Sequence, residues 1–125
     1  MITEDYISFE TAKLLKEKGF DEPCHALYRE GYDKMFFGLD VDSYHNSILN
    51  EDCYACPTLQ MVMKWLREVH HLTIDVFHFR DWKVNIKTIP DDYFTADYSY
   101  PELKPAETYE QACETAIKYC LENLI

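Results

Sequence analysis

The sequence predicts an α+β fold in the order α-ββ-α-ββ-α, with a mainly antiparallel sheet and helices packed on one face. Three observations predict it. A helix opens at Ser8 and stops at Gly19, and a capped helix begins at Thr108. Between Pro57 and Ile89 a 3.6-residue apolar period gives way to a 2-residue period, which sets a helix directly against a β-hairpin. A chain of 125 residues fits one domain, taken here as residues 1–125.

The first helix follows from its ends. Ser8 stands where a hydroxyl accepts a bond from an orphan backbone N–H, and Glu10 sets negative charge at the positive end of the helix. Ile7 and Ala12 stand at the two positions of a hydrophobic staple. Ala12, Leu14 and Leu15 are the apolar positions, with Lys13, Lys16 and Lys18 toward water. Gly19 suits the left-handed stop, and Phe20 folds back onto Leu15.

After Pro23 the chain reads as extended. The runs 25–29 and 34–38 make two short strands around a loop containing Gly31. The stretch 39–52 is acidic and polar, with Asn46, Ser47 and Asn50 as turn formers, and reads as a loop with room for one helical turn. Pro57 suits the first position of the next helix. Leu59, Val62, Met63, Leu66 and Val69 form its apolar stripe, with Trp65 at the margin. Leu72, Ile74 and Val76 then alternate with Thr73 and Asp75. Past a turn at Arg80-Asp81, Trp82, Val84 and Ile86 alternate with Lys83, Asn85 and Lys87. Residues 90–105 form a long acidic and aromatic segment, part of which is suited to a further edge strand. Thr108-Tyr109-Glu110-Gln111 is a capping box, and Ala112, Cys113, Ala116, Ile117, Cys120, Leu121 and Leu124 make the stripe of the last helix.

Composition narrows function by exclusion. A net charge of −11 argues against direct nucleic-acid binding, which needs Lys and Arg to displace counterions, and against an anionic membrane surface. The acidity leaves two readings open: a solvated surface, or an acidic face aimed at a basic partner, including one that mimics the charge of DNA. With three glycines there is no Gly-rich phosphate loop. Gly-x-Ser-x-Gly does not occur. The start of the chain lacks the pattern of a secretory signal, and no apolar run approaches the ~20 residues that span a bilayer. Five cysteines, an odd count without a disulfide-scaffold spacing, fit a reduced, cytoplasmic setting.

Cys53-Tyr54-Ala55-Cys56 is the one motif with metal-ligand or redox spacing, with Cys24, His25 and His45 as distant further ligands. No second pair stands at a standard distance, so the expectation is partly buried thiols and no metal. Cys113 and Cys120 lie about 10 Å apart along one helix face, too far for a disulfide, and read as core. His70 and His71 diverge by about 100° around the helix, so they do not share one task. Asp40 with Asp42, and Asp91 with Asp92, are paired carboxylates without EF-hand spacing. Of the ten tyrosines, Tyr44, Tyr54, Tyr93, Tyr98 and Tyr100 fall in predicted loops. Tyrosine buries much area at small rotamer cost. Asp91, Asp92, Tyr93, Asp97, Tyr98 and Tyr100 are therefore the candidate partner-binding residues, the alternative being that these rings cover the back of the sheet.

Three segments also carry a resemblance: Ser8 to Phe20, Pro57 to His70, and Tyr109 to Ile125. Together they resemble a group of small uncharacterised proteins carried by prophages and mobile elements of gut Bacteroides-type bacteria. The likeness covers about half of the chain and excludes 39–56. It implies a genetic setting, brings no reaction with it, and transfers no functional residue. The expectation is a non-enzymatic cytosolic accessory protein that binds an unidentified protein, with no cofactor, no nucleic acid and no membrane. The oligomeric state stays open. Two alternatives stand beside it: a DNA-mimic inhibitor of a host nucleic-acid enzyme, and a small enzyme with groups such as His70 and a carboxylate converging in a pocket.

Overall fold

A computed structural model describes residues 2–32, 34–38, 44–90 and 103–125. The fold class is α+β, as the sequence predicts: the described residues form three helices and five strands in two antiparallel sheets. The chain divides into two compact units, Met1–Thr58 and Leu59–Ile125.

In the first unit, α1 (Phe9–Glu17) has the ends read from its sequence. Ser8 Oγ accepts a bond from the Thr11 N–H at 3.3 Å. At the other end Gly19 takes φ 87°. Its N–H donates to Lys16 C=O, and Phe20 N–H reaches back to Leu15 C=O at 2.9 Å, closing a Schellman motif. Phe20 and Leu15 are both buried. The strands β1 (Ala26–Arg29) and β2 (Phe36–Phe37) form the expected antiparallel pair, with Leu27 opposite Phe36.

A third strand, β3 (Cys53–Cys56), lies where the sequence reads as the end of a loop. It pairs antiparallel with β1, Tyr28 opposite Tyr54, and makes the sheet order β2-β1-β3. Phe9 meets the rings of Tyr28 and Tyr54 edge-on at 5.4 and 5.6 Å, which seats α1 on this face.

The outer edge of β3 is closed. Cys53 N–H donates to Asn50 C=O at 3.0 Å, and Cys53 C=O accepts from Lys16 Nζ at 2.8 Å. Ala55 N–H donates to Oδ1 of Asn46 at 2.9 Å, while Nδ2 of the same side chain donates to Phe20 C=O at 2.8 Å. Asn46 is buried, so both of its bonds replace lost hydration.

The second unit holds α2 (Leu59–His70), β4 (Leu72–Phe79), β5 (Asp81–Thr88) and α3 (Tyr109–Asn123). β4 and β5 pair antiparallel with Ile74 opposite Ile86 and Val76 opposite Val84, and Arg80 turns between them at φ 69°. Both helices pack against this hairpin. Val62, Leu66, Ile74, Val84 and Ala116 are all buried, as the two periodicities require. Thr108 caps α3 by accepting the Gln111 N–H at 3.1 Å.

Two details of α2 depart from expectation. The helix starts at Leu59 rather than Pro57, because Pro57 C=O is taken by the Ile7 N–H at 3.2 Å in extended geometry. Trp65 is buried and Val69 is 51% exposed, so the stripe turns toward Trp65 and leaves the last turn uncovered. The helix ends through His71 at φ 55°, a left-handed residue that hands the chain straight to β4. Among the described residues, no helix is long and apolar enough to cross a membrane.

Asn46→Ala removes two buried bonds at once. The expected loss of stability is about 2–3 kcal/mol, read as a lower urea midpoint at unchanged slope. A loss below about 0.5 kcal/mol, the level of an ordinary surface change, would show that the bridge does not hold β3.

Candidate functional site

The sequence-predicted partner-binding residues Asp91, Asp92, Tyr93, Asp97, Tyr98 and Tyr100 lie outside the described residues, as do Asp40 and Asp42. The alternative metal ligands are described, and they do not come together. Cys53 and Cys56 sit three apart on β3, so their side chains leave opposite faces with backbones about 10 Å apart. Cys56 Sγ lies 3.6 Å from Ile7 C=O and 3.4 Å from Met35 Sδ. Cys24 Sγ points to Glu22 C=O at 3.4 Å, and His45 Nδ1 lies 3.4 Å from Asp21 C=O. Among the described residues, no group of three His, Cys, Asp or Glu side chains gathers as a metal would need.

The redox reading fails on geometry as well. Cys56 lies in a strand, not at a helix N-terminus, so no helix dipole activates it. The Cys53 thiol is pushed up by burial and then by the Asp52 carboxylate, away from thiolate character. Cys120, on the buried face of α3, is pushed up to about 12 by burial. It belongs to the core, as read from the sequence.

Around Tyr54 the first unit builds a cluster of rings and charges. Tyr54 Oη donates to Glu30 Oε2 at 3.1 Å, and Lys13 Nζ lies 3.6 Å from the same carboxylate. Lys13 and Lys16 stand 5.8 and 5.3 Å from the centre of the Tyr54 ring. Burial and then the Glu30 carboxylate raise the Tyr54 phenol. Every polar group named here already has a partner inside the unit, so the cluster is a brace between α1 and β3.

A shallow groove of about 290 Å³ is lined by Lys16, Gly19, Phe20, Asp21, Asn46 and Ser47. Its two charged groups are engaged by backbone. Lys16 Nζ holds Asn50 C=O and Cys53 C=O at 2.9 and 2.8 Å, and Asp21 accepts the Ser47 N–H at 2.8 Å, which lowers its carboxyl. His70 meets the Trp65 ring edge-on at 4.6 Å rather than a carboxylate. Burial, then the nearby His71, lowers its imidazole.

Among the described residues, the outer face of the β4–β5 hairpin is one surface that exposes large apolar side chains. Alternation sends Leu72, Ile74 and Val76 toward the helices, so Thr73, Asp75, Phe77 and Phe79 occupy the opposite face. Phe77 is 39% exposed and Phe79 is 62% exposed. Lys83 Nζ and the Arg80 guanidinium stand 5.5 and 5.8 Å from the centre of the Phe79 ring. The hairpin 72–89 carries three cations, Arg80, Lys83 and Lys87, against two anions, Asp75 and Asp81, in a chain of net charge −11. By alternation with Thr73, Asp75, Lys83, Asn85 and Lys87, the sequence reads this face as polar. The signal was present: Phe77 and Phe79 have the parity of the polar positions, and their alternation with Val76 and His78 breaks the pattern. His78, near the hairpin tip, is exposed and stacks edge-on with Trp82 at 5.0 Å.

Comparison of the chain with protein-family models, curated proteins and solved structures found no match.

His70 yields a pH prediction. A lowered imidazole stays neutral in the fold, whereas the unfolded chain takes up its proton near pH 6.5. Acid therefore favours the unfolded chain: stability falls as pH drops below about 6.5 and stops falling below the folded pKa. His70→Phe keeps a ring against Trp65 and cannot titrate. Between about pH 7 and about pH 5 the wild type should lose more stability than this variant in urea titrations. Equal losses would show that His70 is not held neutral.

Proposed function

We propose that the protein acts by binding another protein and not by catalysis, as a cytosolic accessory factor of a phage or mobile element. The observation that supports this most directly is the hairpin's outer face. Phe77 and Phe79 stand in water beside Arg80 and Lys83, although the same strands bury Ile74, Val84 and Ile86. Exposed aromatic side chains flanked by cations are the composition of interface anchors. The resemblance read from the helices supports the genetic setting, and five cysteine thiols without a disulfide support a reduced compartment.

The hairpin stands immediately before the acidic, tyrosine-rich residues 91–100, the sequence's own candidate for partner contact. In this reading both contribute to partner binding. The DNA-mimic alternative needs a face of carboxylates, whereas the exposed hairpin face carries more cations than anions. That favours the protein-binding reading.

The test is site-specific photo-crosslinking in the native host. A benzoyl-phenylalanine at Phe79 should give a discrete covalent adduct, and the same probe at exposed Glu10 on α1 should not. No adduct from position 79, or equal adducts from both, would remove the support for this face.

A further inference from the structure

We propose that β4 offers its open edge to β4 of a second copy of the chain, joining two hairpins into one four-stranded antiparallel sheet. The inference rests on the reading of the hairpin as an interface and names the occupant.

The backbone pattern shows which edge is open. Ile89 N–H donates to His71 C=O at 2.7 Å. In this register the bonded pairs of the hairpin are therefore the odd-numbered ones. The N–H and C=O groups of Leu72, Ile74, Val76 and His78 point away from β5. Trp82 confirms the parity on the other strand, since it exchanges two bonds outward with Ala106, at 3.0 and 2.9 Å. Among the described residues, no backbone group meets the outward row of β4.

The other edges are managed. β3 is closed by Asn46, Asn50 and Lys16, β5 is met by Ala106 at Trp82 and carries Lys83 and Lys87 along its length, and β2 is only two residues long. β4 runs for eight residues with no Lys, no Pro and one charge, Asp75. Those are the devices by which proteins guard an edge against pairing, and β4 lacks them.

Self-complementarity selects a second copy. In the register with Phe77 opposite Phe77 on the two-fold axis, Val76 and His78 exchange four backbone bonds with His78 and Val76 of the second copy. The two phenylalanines then form a non-bonded pair, where cross-strand side chains lie closest. Asp75 comes opposite the second copy's Phe79, whose ring is flanked by Arg80 and Lys83. Each carboxylate thus comes near two cations, Arg80 and Lys83, against the one anion paired with Phe79, Asp81, twice by symmetry. Sliding by four residues sets Asp75 against Asp75, which is repulsive. The net charge of −11 opposes the approach of two copies, and the hairpin, with its three cations, is a region where that repulsion is relieved.

The test is the mass of the full chain in solution by sedimentation equilibrium across a wide concentration series. A shift from monomer to dimer is expected. His78→Pro removes an N–H that the hairpin does not use, so it should leave the far-ultraviolet spectrum unchanged and hold the chain monomeric. Asp75→Lys should also give a monomer, and adding Arg80→Glu and Lys83→Glu to it should restore the dimer. A wild type that stays monomeric throughout overturns the inference. So does a dimer indifferent to both single variants, which would use another surface. A monomeric wild type that still crosslinks a different protein from position 79 overturns the second copy as occupant and leaves the interface reading standing.

Discussion

Backbone N–H and C=O groups along a strand edge must be bonded, hidden or left to water, and that accounting organises this molecule. In the first unit one side chain does most of the closing. Asn46 donates to Phe20 C=O, the residue that completes the stop of α1, and accepts from Ala55 N–H on the edge of β3. Lys16 fixes the same edge from the helix side through Cys53 C=O. Helix end, loop and strand are thereby tied at one buried point, so the short strands of this sheet hold their register without a long ladder.

The second unit uses the opposite arrangement. Its hairpin gains stability from its inner face, where Ile74, Val84 and Ile86 are covered by α2 and α3. This leaves the outer face and the β4 edge available, and the residues there are suited to contact: two phenylalanines, with cations over one of them. The proposed protein binding rests on these exposed groups. In the described residues the thiols, His70 and the charged groups of the groove are engaged within the structure or buried in it.

Much of the fold was legible in the sequence because its signals are local. Ser8, Gly19 and Thr108 mark helix ends through the backbone groups they satisfy or the dihedral they allow. The change of period near His71 marks the passage from α2 to β4. The third strand was not legible. Cys53–Cys56 is four residues long, is followed at once by a proline, and is a strand only because β1, distant in sequence, pairs with it. Asn46 likewise read as a turn former, since its two partners, Phe20 and Ala55, lie 26 and 9 residues away. The exposed face was half legible: the parity of Phe77 and Phe79 signals it, but hydrophobicity alone draws the eye to a core. The acidic tyrosines at 93, 98 and 100 remain a reading of sequence.

Amide hydrogen exchange resolved to single residues, in dilute solution, tests the contrast between the two edges most directly. The closed edge of β3 predicts slow exchange at Cys53 and Ala55, as slow as at the bonded pairs of β1 and β3, and the open edge of β4 predicts fast exchange at Val76 and His78. Fast exchange at Ala55 together with protection at Val76 and His78 would contradict it.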